Sequence, residues 1–178
     1  MPRNKREPIL NEAYWRGRIE QAKYEHQAVY KCTLGEWQAI EAKHRNIIAK
    51  NIKPGDRVVD AGCGWGRLIE LMPQTWTGDY VGVDLSPDFI KIAAARYPRA
   101  PGPVRHFIQS DLRALAKWEL TKKFDWAVLI SIKYMIIRNC GQPFWEEVEA
   151  GLKHVANNIL YLEYDVNDEG EVHASVVP

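Results

Sequence analysis

Val58–Leu68, read as VVDAGCGWGRL, is an apolar run that ends in an aspartate and passes at once into glycines at positions 62, 64 and 66. This is the composition of a strand that turns directly into a helix. Glycine lets the backbone turn tightly and lets a ligand approach bare N–H groups, which a helix N-terminus makes attractive to electron-rich atoms. Taken alone, the loop fits a close-packed turn that binds nothing equally well, so its neighbours must decide.

Outward from the loop, the chain alternates short β-branched runs with longer amphipathic ones after the turn KPGD at Lys53–Asp56. Strands are expected over Arg57–Ala61, Tyr80–Asp84, Val104–Gln109, Phe124–Ser131 and Ile159–Tyr164. Helices are expected over Gly66–Met72, Pro87–Arg96, Leu112–Trp118 and Pro143–Ala156. Pro87 and Pro143 suit a first helical position, and Ser86 is a natural cap in front of Pro87. Upstream, Thr33 and Glu36 form a TxxE capping box ahead of Trp37, Ile40, His44 and Ile47, so at least one helix precedes the sheet. Strict alternation of strand and helix implies an α/β fold with a doubly wound, mostly parallel sheet in three α/β/α layers. Its ligands bind at the carboxyl ends of the strands where strand order reverses.

Length and composition set the frame. With 178 residues, 46% hydrophobic and 26% charged, one soluble domain is expected over 11–178 behind a flexible basic segment 1–10. Within it, 11–52 reads as N-terminal cap helices, 53–165 as the binding core and 166–178 as a short tail. A net charge of +1 offers no global field for nucleic acid or an anionic membrane. No apolar run approaches the roughly 20 residues of a membrane span, and MPRNKREPIL has no signal-peptide core, which points to the cytoplasm. Cys32, Cys63 and Cys140 lie far apart with no CxxC pair, so neither a disulfide framework nor a metal site is expected. The five histidines are scattered and read as surface or packing residues.

The chemistry of the ligand comes from two aspartates. Asp84 ends the second strand, 24 residues after Asp60, where a carboxylate can accept ribose hydroxyls. Ser86 already supplies the helix cap, which frees Asp84 for a ligand. The Walker pattern is missing, and the loop runs DxGxGxG rather than GxGxxG. A carboxylate at Asp60 would repel a pyrophosphate yet suits an α-amino group. A ribose-bearing compound with an amino group and no pyrophosphate points to S-adenosylmethionine.

Four stretches, VVDAGCGWG, YVGVDLSP, FIQSDLRAL and FDWAVLIS, stand in the order and spacing of a known family. Over about Lys53 to Asp165 the chain resembles the class I S-adenosylmethionine-dependent methyltransferases. The resemblance implies a Rossmann-like core in which Asp60, Gly62, Cys63, Gly64 and Gly66 surround the methionine part and Asp84 holds the ribose. It further implies that Leu85 packs on the adenine, that Asp111 and Leu112 meet its exocyclic amine, and that Ser131 and Ile132 line the floor near the sulfonium. For Asp111 a turn with a helix cap is the plain alternative. Cys63 has small neighbours and no base beside it, so it reads as a buried spacer. Among the seven tryptophans, Trp65 stands inside the loop and is expected to wall the ligand.

For the chemistry itself the sequence offers candidates. Lys133 and Tyr134 follow the fourth strand, and Glu163, Tyr164 and Asp165 end or follow the fifth. Tyr14, Trp15, Arg16 and Arg18 form an aromatic and basic cluster that could fold over the pocket, Arg16 or Arg18 meeting the methionine carboxylate; a solvated helix is the alternative. The chain has SIKYM where nucleic-acid amine methyltransferases carry [DNS]PP[YFW], and Cys140 lacks the proline that a cytosine C5 enzyme needs before it. A small-molecule acceptor is therefore expected, with nucleic acid kept open by the basic arm. The family's KPGG turn before the fifth strand is replaced by KHVANN, where Asn157 and Asn158 can turn the chain. Few residues follow that strand, and Val172–Val177 can form one edge strand. A second copy or partner completing this side, or an incomplete chain, is the expectation. Competing readings are a sensor or partner subunit that binds the cofactor without methylating, other chemistry on the same cofactor, and, more distantly, a nicotinamide oxidoreductase.

Overall fold

The computed structural model describes residues 12–22, 32–98, 104–164 and 172–178. Two helices, α1 (Glu12–Gln21) and α2 (Leu34–Asn51), precede a six-stranded sheet. Thr33 and Glu36 close the expected capping box: Thr33 Oγ1 accepts from the Glu36 N–H and the Glu36 carboxylate accepts from the Thr33 N–H. The sheet comprises β1 (Val58–Ala61), β2 (Tyr80–Asp84), β3 (Arg105–Gln109), β4 (Phe124–Ile130), β5 (Ala156–Tyr164) and β6 (Val172–Val177). Between strands lie α3 (Arg67–Leu71), α4 (Pro87–Arg96), a 3-10 helix (Leu112–Lys117), α5 (Lys133–Cys140) and α6 (Gln142–Val155).

The strand order is β3-β2-β1-β4-β5-β6, with the first five parallel and β6 antiparallel to β5. Order reverses between β1 and β4, so the glycine loop leaves β1 at the switch point. The fold class is as the sequence implied. Alternation along the strands splits the core into two layers. Val59, Ala61, Ile159 and Tyr161 face the side covered by α6 and the 3-10 helix, packing on Trp145, Leu152 and Leu115. Val58, Tyr80, Leu160 and Leu162 face the other side, against α2 and α3 through Ile48, Leu68 and Leu71. Asp60 shares the face of Val58, which sends a carboxylate into an apolar layer.

Residues 133–140 form α5, a helix the sequence did not predict, with the half-buried Ile132 and the buried Ile136 packing into the core layer. Two expectations change. Asn157 and Asn158 do not make a turn. α6 runs straight into β5, Ala156 being both the helix cap and the first strand residue, and Asn158 donates to the Asp125 carbonyl at 3.1 Å. The fifth strand therefore starts three residues earlier than the sequence suggests. The edge strand over 172–177 forms as expected, whereas the 1–10 segment, His26 and Asp165 lie outside the described residues.

Replacing Thr33 with Ala removes one half of the capping box at the head of α2. Urea unfolding should show a loss of about 1 kcal/mol with an unchanged denaturant slope.

Candidate active site

The glycine loop is built by three different constraints. Gly62 has φ +81°, and an added Cβ would come within 2.7 Å of the Ile132 side chain, so both conformation and space demand glycine. Gly64, at φ +53°, would place a Cβ in open space. Its N–H donates to Asp84 Oδ2 at 2.9 Å, which ties the loop to the end of β2. Asp84 Oδ1 accepts from the Ser86 N–H at 2.8 Å, while Ser86 itself caps α4 through the Phe89 N–H. Gly66 packs against Tyr97 and starts α3.

These pieces border a cavity of about 240 Å³ at the carboxyl ends of β1 to β4. Of the residues assigned to a ligand from sequence, Asp60, Gly62, Cys63, Gly64, Trp65, Asp84, Leu85, Asp111, Leu112 and Ile132 line it. Gly66 and Ser131 support the lining from outside, Ser131 through a left-handed φ of 59° that turns the chain from β4 into α5. Trp65 is buried and packs on Phe89, whose other neighbour is Trp15 of α1. From the N-terminal cluster it is Trp15 that reaches the cavity. Tyr14 stands edge-on to Trp15, and Arg16 turns outward to Asp88 at 3.0 Å, so neither lines the cavity.

Arg67 was not assigned from sequence, yet it lines the cavity while its side chain is 8% exposed. Its guanidinium donates to Glu41 Oε1 at 2.7 Å, lies 3.0 Å from His44 Nδ1 and stacks 4.0 Å from the Trp37 ring. All three partners come from α2. A basic residue one step past the glycines reads as an ordinary helix start, and its partners lie more than twenty residues away. His44 is fully buried, its Nε2 is without a hydrogen-bond partner among the described residues, and burial together with Arg67 lowers its pKa to about 3.

The buried acids carry the site's electrostatics. Burial raises Asp60 to about 7, against a hydrogen bond from the Tyr80 hydroxyl at 2.7 Å. Burial also raises Asp84, opposed by the N–H groups of Ser86, Gly64 and Leu85. Asp111 behaves differently. It caps the 3-10 helix through the Arg113 N–H and binds the Arg113 guanidinium with both oxygens, which lowers its pKa. Cap and cavity wall are thus the same residue.

The proton-transfer candidates stand apart. Lys133 places its ammonium over the Tyr161 and Trp145 rings, Tyr134 is 62% exposed, and neither they nor Tyr164 line the cavity. Glu163 accepts from the Lys133 N–H at 3.0 Å at the start of α5, and burial raises its pKa to about 7.

A family model described as a methyltransferase domain matches residues 58–154, more than half of the chain. The chain belongs to the class I methyltransferases. Among curated relatives of this chain, cyclopropane-fatty-acyl-phospholipid synthase of Escherichia coli K12 is 42% identical over 59 residues, 33% of this chain and 15% of the synthase. Ribosomal protein L11 methyltransferase of Cupriavidus necator is 40% identical over 50 residues, 28% of this chain and 16% of that enzyme. The chain thus matches less than a fifth of the length of these relatives. Among solved structures, magnesium protoporphyrin IX methyltransferase of Synechocystis PCC 6803 with bound S-adenosylmethionine superposes with a TM-score of 0.56 at 21% identity, covering 90% of this chain and 73% of that one. That likeness shows the shared fold. Among the described residues no helix is long and apolar enough to cross a membrane.

Glu163 has a folded-state pKa raised above its unfolded value, so its contribution to stability is present at low pH and is lost as pH rises toward about 7. Glu163→Gln keeps an acceptor for the Lys133 N–H and removes the titration. Thermal unfolding should show the variant gaining on the wild type at pH above neutrality and not at mildly acidic pH.

Proposed function

We propose that the cavity binds S-adenosylmethionine and that the chain transfers its methyl group to a small-molecule acceptor. The observation that carries this reading is the meeting of Asp60, the Gly64 backbone with open space beside it, and Asp84 on one cavity at the sheet's switch point. The donor set fits the cofactor. Open space beside Gly64 leaves its backbone approachable, and the two buried carboxylates facing the cavity call for a polar, partly cationic ligand. A carboxylate offers about four lone-pair sites, and the backbone N–H groups on Asp84 leave room for a ribose hydroxyl. Leu85 and Leu112 provide apolar faces for the adenine, with Asp111 at its edge. Asp60 is placed for the α-amino group.

When bound, S-adenosylmethionine supplies a methyl group on a sulfonium, activated for in-line displacement. The chain's share is alignment and exclusion of water: Trp65, Phe89 and Trp15 wall one side, and Ile130 and Ile132 the floor. Orientation of this kind is worth up to about 7–11 kcal/mol of a barrier, so a dedicated base is not obligatory. Lys133, Tyr134 and Tyr164 lying off the cavity agree with that economy. The same fact favours, as second reading, a protein that binds the cofactor without transferring methyl. Sequences flanking the cavity, rather than the cofactor loop, then choose between a small molecule and nucleic acid.

Calorimetry should show S-adenosylmethionine and S-adenosylhomocysteine binding in the micromolar range or tighter, with Asp84→Ala weakening both by about 10- to 100-fold, the worth of a charged hydrogen bond. No binding of either compound would sink the reading. Labelled methyl incorporated from a metabolite, RNA and protein extract identifies the acceptor, and binding with no incorporation anywhere establishes the second reading.

A further inference from the structure

Tyr80 opens β2, is fully buried, and packs its ring on Phe107 in the layer facing α2 and α3. Phenylalanine would fill that space equally well, so the hydroxyl is the informative atom, and a buried phenol needs a partner. Its partner is Asp60 Oδ2 at 2.7 Å. Asp60 lines the cavity and Tyr80 does not, so the phenol approaches the carboxylate from the protein side.

Resting on the cofactor assignment above, we propose that Tyr80 is a positioning residue for the amino-acid end of the ligand: it fixes one oxygen of Asp60 and leaves Oδ1 to receive an ammonium group. The pair then discriminates between nucleosides that carry an amino-acid tail and those that do not. Four charged or titratable groups face Asp60: Tyr80 from the start of β2, Asp84 from its end, Arg67 from the start of α3, and the Cys63 thiol from the loop. Burial raises the Asp60 carboxyl, the Tyr80 hydrogen bond lowers it, Asp84 raises it and Arg67 lowers it. Removing the phenol deletes the strongest of the opposing effects. Asp60 then holds its proton to higher pH, and a neutral carboxyl gives an ammonium no counter-charge.

The test is calorimetry on the full chain with two ligands, S-adenosylhomocysteine and methylthioadenosine, which shares the nucleoside thioether and lacks the amino-acid tail. For Tyr80→Phe at neutral pH, the homocysteine compound should bind about tenfold more weakly while methylthioadenosine is unaffected, and the loss should recover at alkaline pH as the binding midpoint moves up by about one unit. Asp60→Asn, which keeps an acceptor for the phenol, should abolish both the discrimination and the pH dependence, and Tyr80→Phe should add nothing on top of it. Equal weakening of both ligands, or an unmoved pH midpoint, would overturn the proposal and make the phenol a packing group. Wild-type protein that binds methylthioadenosine as tightly as S-adenosylhomocysteine would also overturn it while leaving the cofactor assignment intact. Wild-type protein that binds neither overturns both.

Discussion

The hydrogen bond from the Gly64 N–H to Asp84 Oδ2 joins the two strand ends on which the site depends. It pins the loop through its backbone, and it does so with a carboxylate that also faces the cavity. Everything downstream inherits that position: Gly62 fits under Ile132, Gly66 fits under Tyr97, and α3 starts where Arg67 can reach the ligand space. An acid that serves as both fastener and ligand group links loop geometry to binding. A change that loosens one weakens the other.

The second organising fact is how charge is compensated. Arg67 is buried among Glu41, His44 and Trp37, whereas the partly exposed Asp111 is closed by the exposed Arg113. In both sets a guanidinium meets a carboxylate at hydrogen-bond distance, as charge withdrawn from water requires. Asp60 and Asp84 differ, because their partners are a neutral phenol and backbone N–H groups. Two acids short of positive charge on one cavity define the polarity of what enters it.

Much of this was legible in the sequence, and the reasons are local. Val58–Ala61 and Tyr80–Asp84 announce themselves by β-branched residues bounded by turns, and Thr33 with Glu36 is a signal complete within four residues. The expectation for the ligand side of the loop rested on the Asp60 and Asp84 spacing together with the family resemblance. What escaped depends on register or on distance along the chain. Arg67 finds Glu41 and His44 across 26 and 23 residues, and Tyr80 meets Asp60 because adjacent parallel strands place them on one face. Arg16 pairs with the Asp88 carboxylate, a partner 72 residues away in sequence, and does not line the cavity. Asn157 and Asn158 look like a turn, yet the sheet takes them, tertiary pairing outweighing a weak local preference.

The family match begins at Val58, but the residues that neutralise and orient Arg67 belong to α2, which ends at Asn51. The recurring module and the working unit therefore have different boundaries. A chimera that grafts 58–154 onto another leader would carry a guanidinium into the interior stripped of its counter-ion and its stacking ring. Variation upstream of the shared segment is thus a route by which related chains can retune the same loop without altering a residue in it.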